Sequence, residues 1–199
     1  MRGWNLGQWF RPTSSDTEGR GKTCSKDENN SPTCIHLDLI ITKQTLRETE
    51  FFRNLLRDIL PGRQKNTVAA VEAMPADKFN YKPTADQMTF GHLVVHMAET
   101  NYLLCSKAAA VPAPKDEEVK DTDSKDKLVA ALRASFDFCS DALTKMDDSK
   151  LVETTEGFGG KQVTRAWISL ILGGAWADHY AETAMYLRLN GLLPPTAKK

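Results

Sequence analysis

The chain has 199 residues, of which 41% are hydrophobic and 26% charged, and its 26 basic side chains balance 26 acidic ones. This length suits one domain with a tail, and the composition is typical of a soluble globular protein. A formal net charge of zero gives no electrostatic reason to expect nucleic acid or an anionic membrane as a partner.

Residues 1–43 differ in composition from the rest of the chain. The run SSDTEGRGKTCSKDENNSPTC is rich in Ser, Asp, Glu, Asn, Gly and Lys and nearly free of large aliphatic side chains. Such a segment cannot bury enough apolar surface to offset the entropy of ordering it. We therefore predict a disordered tail over residues 1–43 and a folded domain over residues 44–199. No secretory signal is visible at the N-terminus, so we expect a cytoplasmic protein.

Four cysteines are present, Cys24, Cys34, Cys105 and Cys139. They form no C-x-x-C pair and have no zinc-finger spacing. Cys105 and Cys139 fall in helical patterns, which predicts buried, reduced thiols. Cys24 and Cys34 lie in the tail, and a reducing compartment argues against a disulfide between them.

The first helical pattern covers residues 46–60, where large apolar residues recur every three or four positions. Pro61 and Gly62 are expected to kink or interrupt this helix. The pattern resumes at Val68 and stops at Pro75. A turn-rich connector leads to a second helix over residues 90–107, with Thr89 as its N-cap.

Two further helices are predicted after a solvated linker at residues 108–124. One covers residues 125–146 and the other residues 164–190. The glycine-rich run 157–161 between them lacks the spacing of a phosphate-binding loop. Gly191 is predicted as the left-handed cap of the last helix, after which Pro194 and Pro195 prevent continuation. The longest apolar run, residues 166–177, is shorter than the roughly 20 residues that a membrane span needs. Four helical segments without a convincing strand predict a four-helix bundle in an all-α fold.

Two of these helices place a histidine on or beside their apolar face. On the second helix His96 shares a stripe with Leu93 and Leu103, and His92 lies one turn earlier. On the last helix His179 shares a face with Ala175 and Trp176. Facing helices of a bundle can bring such groups together, which is how bundles build metal sites. The alternative is that each histidine is a core residue hydrogen-bonded to a neighbour.

Two stretches resemble the DinB-like superfamily of four-helix bundles, namely FNYKPTADQMTFGHLVVHMAE and DHYAETAMYLRLNGLLPP. The resemblance covers about residues 62–195. Members of that family typically hold a divalent metal with three histidines, one on the second helix and two at H-x-x-x-H on the last. Characterised members include thiol-dependent S-transferases and an isomerase that uses a low-molecular-weight thiol. The resemblance therefore implies a divalent metal, zinc or nickel, and a low-molecular-weight thiol as cofactors.

Transferred to this sequence, the ligand of the second helix is His96 and the later ligand of the last helix is His179. The earlier ligand position of the last helix is Ala175, which cannot bind a metal. Two histidines alone hold a divalent ion weakly, because a stable site usually needs three protein ligands. Glu182, one turn after His179, can supply the missing carboxylate, as can Glu99, one turn after His96. Asp178 points about 100° away around the helix and is the weaker candidate.

Two function hypotheses follow. The first is a metal-dependent S-transferase or hydrolase with a site formed by His96, His179 and Glu182, acting on a small electrophilic substrate. Trp167, Trp176 and Tyr186 are candidates for the walls of its pocket, although aromatic residues at helical spacing are often plain core. The second is a non-catalytic bundle with a degenerate metal site that binds a small ligand or forms a homodimer. Neither hypothesis involves nucleic acid or a membrane.

Overall fold

A computed structural model describes residues 24–26, 32–34, 50–115 and 119–197. Four α-helices form the main unit of the chain: α1 (Phe51–Ala73), α2 (Phe90–Ala109), α3 (Lys125–Lys145) and α4 (Arg165–Leu189). Helix α2 packs against α3 and α4, and α1 packs against the same two helices. The predicted four-helix bundle is thereby confirmed. None of the helices in the described ranges is long and apolar enough to cross a membrane.

The predicted tail contains two short strands, β1 (Cys24–Lys26) and β2 (Pro32–Cys34), which pair antiparallel with Cys24 opposite Cys34. The rest of residues 1–43 lies outside the described residues. The expectation of disorder for this tail therefore stays a prediction.

The prediction for Pro61 and Gly62 was a kink or an interruption, and helix α1 runs through Pro61 without interruption. Proline removes one backbone hydrogen bond, but Pro61 lies on the exposed side of the helix. Leu56 and Leu60 before it and Val68 after it are all buried in the same core. Tertiary packing on both sides of Pro61 thus holds the helix together across the missing bond.

Helix α2 begins with the predicted N-cap, Thr89. The hydroxyl of Thr89 accepts the N–H of His92, and Ser124 and Thr164 cap α3 and α4 in the same way. Helix α1 has no local side-chain cap. Instead the carboxylate of Asp148, just after α3, accepts the N–H groups of Phe52 (2.6 Å) and Arg53 (3.0 Å). The free N–H groups at the start of α1 are therefore capped by a residue 96 positions away along the chain, whereas the other helices are capped by the residue that precedes them.

A hairpin precedes α4 where only a loop was expected. Strands β3 (Thr154–Glu156) and β4 (Gln162–Thr164) pair antiparallel around the glycine-rich run. Gly159 and Gly160 have φ values of 65° and 76°, which the turn requires and which side chains disfavour. The hairpin holds Phe158 at its tip.

The thiols of Cys105 on α2 and Cys139 on α3 are buried, as predicted, but they are not reduced. They form a disulfide with a Cα–Cα distance of 5.3 Å. The prediction was based on the residue pattern of each helix alone. The packing of α2 against α3 then brings the two side chains together.

The C-terminal end of α4 has the predicted left-handed cap. Gly191 has a φ of 74°, its N–H donates to the carbonyl of Arg188, and the N–H of Leu192 donates to the carbonyl of Leu187. We expect Gly191→Val to lower the free energy of unfolding by about 1–2 kcal/mol, because a β-branched residue is strained in this conformation. Gly191→Asn is the control, since asparagine tolerates the left-handed region, and it should cost much less. Equal urea midpoints for the two variants would contradict the assignment.

Candidate functional site

His96 of α2 and His179 of α4 meet between the two helices. Their ring centroids are 5.2 Å apart and the rings are nearly perpendicular, with an interplanar angle of 77°. Both side chains are half-buried. The helical faces predicted from the sequence therefore bring the two imidazoles together.

The histidine pair opens into a cavity of about 450 Å³. Most of its wall is apolar, and Thr100 and Asp178 add polar groups. The described residues that line it are His96, Thr100, Leu104, Phe158, Leu170, Ile171, Gly174, Ala175, Asp178 and His179. The small residues Gly174 and Ala175 of α4 leave space in the cavity. A Cβ added at Gly174 would meet nothing within 4 Å.

Neither imidazole of the pair is satisfied by the protein. Within residues 50–115 and 119–197, no hydrogen bond joins a ring nitrogen of His96 or His179 to another group. The backbone carbonyl of His179 accepts the hydroxyl of Thr183 at 2.7 Å, but this bond leaves the ring free. Buried polar groups normally have hydrogen-bond partners. The ring nitrogens are therefore available to water or a ligand in the cavity. The alternative hypothesis, in which each histidine is a core residue hydrogen-bonded to a neighbour, does not fit the described residues.

A buried polar network joins the two helices that carry the histidines to α3. Trp176, the neighbour of Ala175, donates its indole N–H to the side-chain oxygen of Asn101 at 2.9 Å. The amide of Asn101 in turn donates to the hydroxyl of Ser135 at 3.0 Å. All three residues are buried. This network ties α2, α3 and α4 together, so buried hydrogen bonds hold the two helices that carry the histidines.

The other predicted site residues lie elsewhere. Glu182 is half-buried and does not line the cavity. Burial and then the negative charge of Glu182 raise the pKa of Tyr186, whose hydroxyl donates to the carbonyl of Met88. Glu99 is exposed and also absent from the lining. The carboxylate that lines the cavity is that of Asp178, the weaker candidate in the sequence.

The predicted aromatic walls are also different. Trp176 and Tyr186 are core residues, and Trp167 lies outside the lining. The aromatic side chain in the wall is Phe158 of the hairpin, whose ring contacts Trp167 with centroids 6.1 Å apart. No signal in the sequence marked Phe158, because its position depends on a hairpin of three-residue strands. Of the remaining histidines, His92 faces Asp121 at 3.6 Å on the surface, and His36 lies outside the described residues.

His179 is held in its uncharged form. Its pKa is lowered from 6.5 to about 4, mainly by burial and then by the proximity of His96, while the negative charge of Asp178 opposes these effects. Above pH 6.5 the residue is uncharged in both folded and unfolded chains. Between pH 6.5 and about 4 the unfolded chain takes up a proton that the folded chain does not, so stability falls as the pH falls.

We expect this proton uptake to destabilise the protein by on the order of 2 kcal/mol between pH 6.5 and 4. Because His179→Gln lacks the titrating group, its free energy of unfolding should fall less than that of the wild type over the same pH range. The difference between the two falls should be about the amount given above. Urea unfolding at several pH values measures the difference, with His92→Gln as the matched control on an exposed histidine. A wild type and a His179→Gln variant with parallel pH profiles would contradict the low pKa.

A family-type metal site needs a third ligand beside the two histidines. Across the described part of the chain, no group of three His, Cys, Asp or Glu side chains is placed to hold one ion. The methyl group of Ala175 faces the cavity where the third histidine would be. The residues present therefore do not fit a three-histidine site. The assignment of His96, His179 and Glu182 as metal ligands stays a prediction.

The fold and the site define a class of protein, a four-helix bundle with a histidine-containing cavity between its second and last helices. The sequence model of the DinB superfamily matches residues 60–182, and the chain belongs to that superfamily. The resemblance inferred from the two sequence motifs is thereby confirmed.

Solved structures agree with this assignment. A DinB-like protein from Bacillus subtilis superposes with a TM-score of 0.59 at 18% identity, covering 73% of this chain and 99% of that one. A DinB-like protein from Bacillus cereus gives a TM-score of 0.54 at 16% identity, with coverages of 67% and 89%. At these identities the likeness concerns the fold. No curated protein matches the chain.

Proposed function

We propose that this protein binds a small, largely apolar molecule in the cavity between α2 and α4. The polar group of that molecule lies at His96 and His179. One observation carries the proposal: two half-buried imidazoles without hydrogen-bond partners face an open cavity whose other walls are mainly apolar. Ligand sites commonly combine apolar walls with a few convergent polar groups in this way.

The chemistry of the pair limits what it can bind. An uncharged imidazole has one N–H donor and one nitrogen acceptor, and His179 is uncharged at neutral pH because its pKa is about 4. The nitrogen lone pair of His179 can thus accept a hydrogen bond from a hydroxyl or amine. Leu104, Ile171 and Leu170 supply apolar surface for the rest of the ligand.

Filling the cavity tests the proposal. We expect Gly174→Leu to abolish binding of apolar fragments, because the new side chain starts from a cavity wall with free space around it. Gly62→Leu is the matched control, since Gly62 is an exposed helical glycine with equally free surroundings and lies outside the cavity lining. Both changes should stabilise their helices, by up to roughly 1 kcal/mol.

Binding is measured by ligand-observed NMR with a set of apolar fragments carrying hydroxyl or amine groups. The proposal predicts that some fragments bind the wild type and Gly62→Leu but not Gly174→Leu. Fragments that bind all three proteins alike would place the binding surface elsewhere and contradict the proposal.

A metal-dependent S-transferase or hydrolase is the second candidate function. The observation in its favour is the proximity of two imidazoles. His179 is uncharged at neutral pH, so one of its ring nitrogens has a lone pair that can bind a metal. Metal analysis of protein purified without a His tag tests this candidate. One equivalent of zinc or nickel that is lost in a His96→Gln variant would support it, and metal-free protein that takes up neither ion would contradict it.

A further inference from the structure

The charges around the cavity indicate which ligands it prefers, an inference that rests on the proposed binding function. Among the described residues that line the cavity, Asp178 is the only one with a carboxylate, and none is a lysine or arginine. Asp178 is exposed and forms no salt bridge with any described residue. Asp178 lines the same cavity as the histidine pair and directly precedes His179 in the chain. The described residues therefore leave a negative charge without a counter-ion beside the two imidazoles.

Two cations of the adjoining segments are engaged with other groups. Lys107 donates from its Nζ to the carbonyl of Glu156. Arg165 donates to the carbonyl of Lys107 at 2.8 Å and faces the carboxylate of Glu153 at 3.3 Å. Neither side chain lines the cavity. An anionic ligand would thus meet the carboxylate of Asp178 without a cation in the lining to offset it.

The aromatic wall favours a cation as well. Phe158 lines the cavity and keeps 53% of its surface exposed, so part of its ring is open to a ligand. The face of an aromatic ring attracts a nearby ammonium group. The unpartnered imidazole nitrogens add hydrogen-bond acceptors for N–H groups.

We propose that the cavity selects small organic cations, in which an ammonium group is joined to an apolar body, over neutral or anionic molecules of the same shape. The ammonium group lies between Asp178 and the histidine pair. The apolar body contacts Phe158 and the aliphatic wall formed by Leu104, Leu170 and Ile171.

Three probes that differ mainly in charge test this selectivity: benzylamine, benzyl alcohol and benzoate. Calorimetric titrations are made at pH 8, above the range in which histidine side chains ordinarily titrate, with EDTA present to exclude metal ions. We expect benzylamine to bind about fivefold or more tightly than benzyl alcohol, and benzoate to bind most weakly. Added salt should reduce the advantage of benzylamine.

Substitution of the carboxylate completes the test. Asp178→Asn should bring the affinity for benzylamine down to about the affinity that the same variant has for benzyl alcohol. Asp141→Asn is the matched control, because it removes the same charge from an exposed position on α3 outside the lining, and it should keep the preference.

The outcomes separate the two proposals. Equal affinities for benzylamine and benzyl alcohol, or tightest binding of benzoate, would overturn the cation preference and leave the binding function standing. An unchanged preference in Asp178→Asn would also overturn it. If none of the three probes binds at millimolar concentration, the binding function itself is contradicted.

Discussion

Replacing Ala175 with histidine is expected to raise the affinity of this protein for zinc or nickel by orders of magnitude. The new imidazole would stand one helical turn before His179 on the same face of α4, and His96 already faces His179 with ring centroids 5.2 Å apart. Three histidines around an open position form a typical divalent metal site. Ala175 lines the cavity, so the larger side chain has space to enter.

Isothermal titration of the wild type and Ala175→His with each metal measures this change. Thermal unfolding should respond in parallel, because an ion that binds only the folded state raises its stability. Ala181→His is the matched control, since it adds the same side chain to an exposed position of α4 that is two residues from His179 and therefore on another face. If Ala175→His binds metal no better than Ala181→His, then His96 and His179 do not converge on one site.

The second large effect is expected from removing the disulfide between Cys105 and Cys139. Replacing both cysteines with alanine should lower the free energy of unfolding by about 3–4 kcal/mol, because the bond closes a loop of 34 residues in the unfolded chain. The buried positions of both residues add a packing loss. Urea unfolding of the wild type and the double variant, each under oxidising conditions, gives the difference.

Reductant separates the effect of the disulfide from the effect of packing. Dithiothreitol should lower the stability of the wild type and leave that of the double alanine variant unchanged. Two observations together would contradict the disulfide. Mass spectrometry of oxidised protein would find Cys105 and Cys139 as free thiols, and reductant would leave the urea midpoint of the wild type unchanged.

Much of the fold could be predicted because its signals are local. Apolar residues at three- and four-residue spacing gave the helices, and the hydroxyl of Thr89 and the flexibility of Gly191 marked two of their ends. Pro61 was misread because local propensity predicts a break there, whereas buried neighbours on both sides maintain α1. The cap that Asp148 provides for α1 depends on tertiary packing and had no local signal.

For the site, too, only the part that depends on helical periodicity could be predicted. The stripes of α2 and α4 placed His96 and His179 together, since helical periodicity fixes which side chains share a face. Helical spacing also favoured Glu182 over Asp178, yet Asp178 lines the cavity because the lining extends around α4 past Gly174. Phe158 and the disulfide depend on how separate elements pack. Contacts of this kind are not encoded in the periodicity of either partner.

The central claim is that His96 and His179 form the polar end of a ligand-binding cavity. Long-range proton–nitrogen NMR spectra of the histidine rings, recorded while benzyl alcohol or benzylamine is added, test it most directly. The account predicts that the ring signals of His96 and His179 shift together and saturate at the same ligand concentration, while those of exposed His92 stay in place. The claim would be contradicted if the ligand binds while the ring signals of His96 and His179 do not shift, or shift no more than those of His92.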